Sequence, residues 1–229
     1  MHKIAQPDLA VSLPADIALP IRVNFVISKD LQSKIFYDIF RRYLKFDPAL
    51  LQVEISEKPN PDADIYHYHR PHLETQLARP AVVTVHHDPR DADPWLQPEK
   101  FWKVYAQTER IICLNSLQVA DLAEEGLHNT TVIPHGFDTA IFHKQRKRFD
   151  PDRKRVLGIV SKRYDRRFKG DVYIFELLER LSPDKVRLVL VGAGRTDDAA
   201  KIRSLGFEVD VFEYLPYRLF GDLYKTMDF

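Results

Sequence analysis

The sequence contains very little cysteine, and it has neither a long apolar run nor a large excess of one charge. Cys113 is the only cysteine among 229 residues, which excludes a disulfide framework and indicates a reducing compartment. No apolar run approaches the roughly 18 residues that a membrane-spanning helix needs. The net charge of +1 gives no global field that favours nucleic acid or a membrane surface. We therefore expect a cytoplasmic protein that neither binds nucleic acid nor spans a membrane.

The N-terminal segment, residues 1–20, lacks the basic start and the long apolar core of a signal peptide. Its prolines indicate an extended arm on the surface. From residue 21 onward, short β-rich runs alternate with segments whose apolar residues recur at helical spacing. This alternation predicts βαβ units, in which helices cover both faces of a mainly parallel sheet.

Two local signals mark the ends of elements in the first half of the chain. Residues 116–126 are predicted to form a helix that is capped by Ser116 and closed by Gly126. The last strand of this set ends at Pro134, and we expect Gly136 to supply the positive φ of the turn that follows.

The alternating pattern restarts after a basic segment, which predicts a second α/β unit. We place the first unit at residues 21–142, a basic linker at 143–155 and the second unit at 156–229. The second unit offers three strands, and a fourth can begin only at Asp228–Phe229, so we expect this unit to be incomplete. A missing C-terminal segment, a second polypeptide or a second copy of the chain would then cover its open edge.

Imidazole side chains gather where two predicted strands end. His67 and His69 close the run DIYHYH, and His86 and His87 close the run TVHH. Ligands of open α/β sheets bind at the carboxyl ends of the strands, so these histidines are candidates for a ligand site. The alternative for each is a structural histidine with satisfied hydrogen bonds.

A metal-dependent hydrolase is a further interpretation of the same histidines, because His-x-His beside His-His can supply three or four imidazole ligands. The carboxylates that a hydrolytic metal site usually adds are not grouped, since Asp64 opens the first run and Asp88 alone follows the second. We therefore expect no metal at this site.

A second candidate site follows the first predicted strand of the second unit. The segment SKRYDRRFKGD places Lys162, Arg163 and Lys169 ahead of a helix that begins after Gly170. The start of a helix attracts anions through its free N–H groups and its dipole, so cations in front of it form a cradle for a diphosphate. A solvated linker is the alternative interpretation of this basic segment.

The order of short motifs resembles that of the GT-B-fold glycosyltransferases and, among them, the retaining enzymes of family 4. In chain order the motifs are ADIYHYH, VVTVHHD, RIICLNS, VIPHGFD, LGIVSKRYDRRFKG, VRLVLVGAG and LPYRLFGDLYKTMDF. The resemblance covers about residues 21–229. No single motif is decisive, and their common order makes the resemblance fairly specific.

The resemblance implies two Rossmann-like units that face each other across a cleft. The second unit would bind a nucleotide-diphosphate sugar as donor, and the reaction would need no cofactor. The family's basic pair, which holds the donor diphosphate, corresponds to Arg163 and Lys169, followed by Gly170 at the helix start. Lys162 or Arg166 is the alternative for the arginine, because the family spacing is usually one residue shorter.

The resemblance assigns the first unit to the acceptor. The family's strand-end histidine corresponds to His86, with His87 as its substitute, and we take both as catalytic candidates. His135 stands where the family often has asparagine. The candidates for the acceptor or sugar side are therefore His67, His69, His135 and Gly136.

The implied reaction is transfer of a sugar from a nucleotide-diphosphate sugar to a glycan, lipid or other acceptor, with retention of anomeric configuration. The family continues past the point that corresponds to Phe229, so we expect this chain to match the front part of a longer enzyme and to be inactive alone. Besides the hydrolase, the remaining alternative is a non-catalytic binding module related to these enzymes.

Overall fold

The computed structural model describes residues 17–27, 34–88, 90, 98–143, 150–163 and 170–229. Contacts divide the chain into two units, with the division between His135 and Gly136. Of the expected N-terminal arm, residues 1–16 lie outside the described residues. None of the helices in the described ranges is long and apolar enough to cross a membrane.

The first unit contains a six-stranded sheet in which all paired strands are parallel. Along the sheet the strand order is β2-β1-β3-β4-β5-β6. The chain leaves β1 toward β2 on one side and later returns to β3 on the other, so the winding direction reverses between β1 and β3. The elements are β1 (Ile21–Val26), α1 (Lys34–Tyr43), β2 (Leu51–Ser56), β3 (Ile65–Tyr68), β4 (Ala81–Thr84), α2 (Trp102–Tyr105), β5 (Arg110–Cys113), α3 (Ser116–Glu124) and β6 (Thr130–Val132).

The central strands of this sheet are apolar because helices cover both of their faces. Val83 of β4 and Ile111 and Cys113 of β5 are fully buried. Tyr105 of α2 and Leu122 of α3 pack against them. Full burial of one such aliphatic side chain contributes about 1.5–3 kcal/mol, so this cluster anchors the centre of the first unit.

Helix α3 confirms the helix predicted at residues 116–126, but the prediction of its cap is wrong. Asn115 is the N-cap, and its side-chain oxygen accepts a hydrogen bond of 3.0 Å from the Gln118 amide. Ser116 already lies inside the helix, because the extended backbone that a cap requires occurs one residue earlier. Gly126 closes the helix with a positive φ of 78°, as predicted.

The second unit contains a three-stranded parallel sheet in the order β7-β8-β9. Leu188 and Leu190 of the central strand are fully buried against Ile202 of α5 and Phe207, which follows that helix. Helix α5 begins at Arg195, directly after Gly194, which is its N-cap with a φ of 81°. The elements are β7 (Arg155–Val160), α4 (Asp171–Leu178), β8 (Val186–Val191), α5 (Arg195–Ser204), β9 (Val209–Phe212) and α6 (Phe220–Thr226).

The last two residues of the chain lie along β7. The Phe229 amide donates to the Val156 carbonyl at 3.3 Å, and the Gly158 amide donates to the Phe229 carbonyl at 2.9 Å. These two bonds have the pattern of a parallel ladder. Asp228 is held in place by Arg153, whose Nη1 lies 2.7 Å from Oδ2 of the carboxylate. The pairing occurs at the residues where the sequence allows a fourth strand to begin.

Gly136 does not supply a turn with positive φ, so that prediction is wrong. Its φ lies outside the left-handed region, and a Cβ at this position would meet no atom within 4 Å. The residues that follow it pack within the second unit, where the ring of Phe142 lies 5.8 Å from Tyr217 and 5.6 Å from Tyr224. Residues 136–142, which the sequence predicts to belong to the first unit, therefore group with the second.

Gly192, directly after β8, brings two backbone segments of the second unit into contact. Its φ is +133°, and a Cβ there would lie 2.5 Å from the Ser161 carbonyl atoms and from the Lys162 amide nitrogen. Only glycine fits at this position, because both the backbone conformation and the neighbouring main chain exclude a side chain. The contact fixes the end of β7 against the end of β8.

We expect Gly192→Ala to lower the free energy of unfolding of the second unit by about 2 kcal/mol or more, because strain and a backbone clash add together. Gly136→Ala is the matched control and should stay within about 0.5 kcal/mol of the wild type. Urea unfolding followed by circular dichroism measures both variants. Equal destabilisation by the two substitutions would contradict the assigned role of Gly192.

Candidate functional site

The histidines of the first unit lie at the carboxyl edge of its sheet, beside the point where the winding direction reverses. His67 belongs to β3 and is in register with Phe25 of β1, and the two rings are 4.8 Å apart. The His69 amide donates to the Val26 carbonyl at 3.1 Å, so His69 is tied to the end of β1. In open α/β sheets this position is where ligands bind.

Four histidines and an aromatic residue of α1 form what we call the edge cluster. Phe36 lies at its centre, with ring centroids 4.0 Å from His69 and 4.7 Å from His86. His69 and His86 are 5.3 Å apart, and His86 stacks on His135 at 5.4 Å. Together with His67, whose ring reaches Phe40 of the same helix at 6.0 Å, the strand-end imidazoles therefore share one surface with α1.

The edge cluster contains a buried imidazole without a hydrogen-bond partner. The His67 Nε2 atom lies 2.9 Å from the Thr84 hydroxyl oxygen, which satisfies that side of the ring. His69 is 8% exposed, and neither of its ring nitrogens has a hydrogen-bond partner among the described residues. Buried polar atoms are normally paired, so an unpaired one at a ligand-binding edge marks a place for an exchangeable polar group.

Burial keeps the imidazoles of His67, His69 and His86 neutral. It lowers the pKa of His67 to about 4 and the pKa values of His69 and His86 to about 3. Neighbouring imidazoles lower the pKa values of His69 and His86 further, because two nearby rings resist carrying positive charge together. At neutral pH each ring therefore offers one hydrogen-bond donor and one acceptor, without a net charge.

The segment after β4 is held by a buried glutamine of α3. Gln118 Nε2 donates to the carbonyl oxygens of Val85 and His87 at 3.1 and 3.0 Å. Its Oε1 accepts from the Leu114 amide at 2.6 Å. Because α3 is fixed by its cap and its core contacts, Gln118 fixes the backbone that carries His86.

The two catalytic candidates of this segment contact different aromatic groups. The His87 ring lies 4.6 Å from Phe101, which also contacts His72 at 4.4 Å. His86 instead contacts the edge cluster. Burial lowers the pKa of His72 to about 4. The structure thus brings His86 together with His67, His69 and His135, and it places the His87 ring in a second aromatic group.

The geometry gives no support to the metal-dependent hydrolase. Across the described ranges, no three His, Cys, Asp or Glu side chains converge as metal ligands. The rings of His86 and His135 are stacked with an interplanar angle of 17°, so their faces meet. His67 directs Nε2 at the Thr84 hydroxyl.

In the second unit, the described part of the predicted diphosphate cradle lies at the carboxyl end of β7. Gly170 is the N-cap of α4 in a left-handed conformation, with φ 76°. Arg163 is 37% exposed, and its Nε lies 3.4 Å from Oδ1 of Asp198. Lys162 is exposed beside it. Arg166 and Lys169 lie outside the described residues.

Two charged residues at this edge were not identified from the sequence. Arg195, the first residue of α5, is 1% exposed. Glu213, which follows β9, accepts hydrogen bonds of 2.6 Å from the amides of Gly194 and Thr196. Hydrogen bonds from the Thr196 hydroxyl and from these amides lower the pKa of Glu213. The start of α5 is therefore already capped by a carboxylate of the chain itself.

The sequence has no match among protein-family models or among curated proteins. Among solved structures, the fold is similar to that of HepE from Anabaena, crystallised in complex with UDP and glucose. The match covers 91% of this chain and 73% of HepE, with a TM-score of 0.52 and 15% sequence identity. A similarity at this identity establishes the fold, and it confirms an α/β architecture with Rossmann-like units of the GT-B type.

Because the His69 imidazole stays neutral in the folded protein, we expect the free energy of unfolding to fall in mild acid. Below about pH 6.5 the unfolded chain takes up a proton at His69, and the folded chain does not until the pH approaches about 3. The folded state is therefore favoured fully above pH 6.5 and progressively less as the pH falls. Between pH 7 and pH 5, the free energy of unfolding should therefore fall by about 1–2 kcal/mol less in His69→Gln than in the wild type.

The control for this experiment is His128→Gln, which replaces an exposed histidine of the same unit. Its stability should fall with pH in parallel with the wild type. Urea unfolding at several pH values measures all three proteins. Parallel curves for His69→Gln and the wild type would show that His69 does not stay neutral in the folded protein.

The geometry of the histidine rings also predicts that chelators do not change the thermal stability of the protein. Dialysis against EDTA should leave the melting temperature unchanged, because the described imidazoles do not converge on a common point. Metal analysis of the purified protein before and after dialysis is the measurement. Stoichiometric zinc, together with loss of folding on its removal, would favour the hydrolase.

Proposed function

We propose that this protein is a glycosyltransferase that moves a sugar from a nucleotide-diphosphate sugar to an acceptor. The observation that carries the proposal is the carboxyl edge of the second sheet, where Arg163 lies beside the end of β7 and Gly170 begins α4. The similarity of the fold to HepE, which was crystallised with UDP and glucose, supports it.

The second unit is assigned to the donor. When the bond between the sugar and the diphosphate breaks, negative charge grows on the departing phosphate oxygens. The Arg163 guanidinium and the N-terminal end of α4 stabilise that charge without a metal, and Lys169 adds a second cation in this proposal. Arg163 is exposed enough to reach a ligand, and its contact with Asp198 is long for an ion pair.

The first unit is assigned to the acceptor or to the transferred sugar. Uncharged imidazoles with one donor and one acceptor each suit hydroxyl groups, and the Phe36 ring offers an apolar face beside them. In this proposal His86 orients the reacting sugar, and His69 supplies a hydrogen bond that its buried ring does not make within the described residues. Retention of anomeric configuration follows from the resemblance to family 4, and NMR of the product anomer tests it.

The donor assignment predicts that Arg163→Ala weakens binding of UDP about ten- to a hundredfold, the scale of one lost charge-assisted contact. Arg187→Ala is the matched control. Arg187 is also ion-paired and similarly exposed, at 34%, but it lies near the opposite end of the sheet. Titration calorimetry on folded protein measures the affinities. Equal affinities for the two variants would remove Arg163 from the site.

The reaction itself is tested with a panel of UDP-, GDP- and ADP-sugars and simple glycan acceptors. Glycosyltransferase activity requires that one nucleoside diphosphate stabilises the chain against heat and that its sugar appears on an acceptor. Binding without transfer, also in longer forms of the chain, would favour a non-catalytic binding module. If none of these nucleotides is bound, the proposed function is wrong.

A further inference from the structure

Arg195 joins three segments at the carboxyl edge of the second sheet. Its Nε donates to the Ser161 carbonyl at 2.8 Å, and its Nη2 donates to the Ser161 hydroxyl at 2.9 Å. Its Nη1 donates to Oδ2 of Asp198 at 2.9 Å and lies 2.7 Å from Oδ1 of Asp171. The end of β7 and the first turns of α4 and α5 therefore meet at one buried guanidinium.

Asp171 is an unexpected residue at this place. It is the first residue of α4, directly after Gly170, where the proposed function places the donor diphosphate. Neither of its carboxylate oxygens receives a hydrogen bond of good geometry from the described residues, although Arg195 lies within ion-pair distance. An uncompensated carboxylate here would repel a phosphate, because like charges in close proximity cost several kcal/mol.

We propose that Arg195 is a positioning residue of the donor site, which acts by neutralising the Asp171 carboxylate at the start of α4. This inference rests on the proposed function. With Arg195 in place, its positive guanidinium balances the negative charge of the Asp171 carboxylate. The diphosphate then meets a helix start without an uncompensated carboxylate. The planar guanidinium suits the role, because it can hold Asp171, Asp198 and Ser161 at the same time.

The other helix start at this edge supports the assignment to α4. The amides of Gly194 and Thr196 at the start of α5 already donate to Glu213. A phosphate that approached these amides would have to displace a carboxylate of the chain itself. The start of α4 is therefore the more accessible anion site, provided that its own carboxylate is neutralised.

The test compares Arg195→Met with the double variant Arg195→Met/Asp171→Asn. The single variant removes the guanidinium that lies against Asp171 and Asp198, although Asp198 keeps its contact with Arg163. The double variant also removes the charge of Asp171. We expect the single variant to weaken UDP binding at least about tenfold. The second substitution should restore the affinity to within about threefold of the wild type, because it removes the repelling charge.

Stability is measured on the same samples, so that a loss of folding is not mistaken for a loss of affinity. Ile202→Ala serves as the control, because it removes a fully buried side chain of α5 without touching the charged residues. It should lower the melting temperature and leave the UDP affinity of the folded protein unchanged. In a salt series on both proteins, the ratio of the wild-type affinity to that of the single variant should become smaller, because salt screens the additional repulsion that only the variant has.

The outcomes separate the two proposals. A wild-type chain that does not bind UDP or another nucleoside diphosphate overturns the proposed function, and the role of Arg195 with it. Binding by the wild type with equal affinity for Arg195→Met overturns only the role of Arg195. If the single variant does not fold, the double variant still decides, since a folded double variant that binds UDP more than about tenfold more weakly contradicts neutralisation of Asp171.

Discussion

Parallel strand pairing is the constraint on which both candidate sites depend. Strands that run in one direction must deliver all their carboxyl ends to one edge, and the connecting segments must start from there. In the first unit this edge brings together His69 and His86, which follow the neighbouring, hydrogen-bonded strands β3 and β4. In the second unit it brings Ser161 and Gly192 so close that their main chains touch.

The period of the apolar residues was sufficient to predict most elements and both parallel sheets. Strands and helices at the centre of each unit have strong patterns, because burial on both faces leaves little choice of residue. Short elements were less predictable. Residues 98–105, for example, form only a turn at Pro98–Lys100 and the brief α2. Strand order does not follow from periodicity and had to come from the structure.

For the sites, residue type and position were predictable, but side-chain partners were not. A histidine at a strand end is visible in the sequence, whereas the separation of His86 from the His87 ring depends on how Phe36 and Phe101 pack. The burial of Arg195 could not be predicted from the run GAGRTDD, because nothing in the spacing indicates that its guanidinium donates a hydrogen bond to the distant Ser161. Burial of a charge is a property of the folded chain, and local patterns carry little information about it.

The burial of Cys113 gives the first unit an intrinsic chemical reporter. The thiol lies at the last residue of β5 with no exposed surface, and burial raises its pKa to about 11. A thiol-specific reagent can reach it only when the packing around β5 opens, because the reactive thiolate neither forms nor meets solvent in the closed state. Since the chain has no other cysteine, the rate of alkylation reports the opening of the first core alone, in the unmodified protein and without an introduced label.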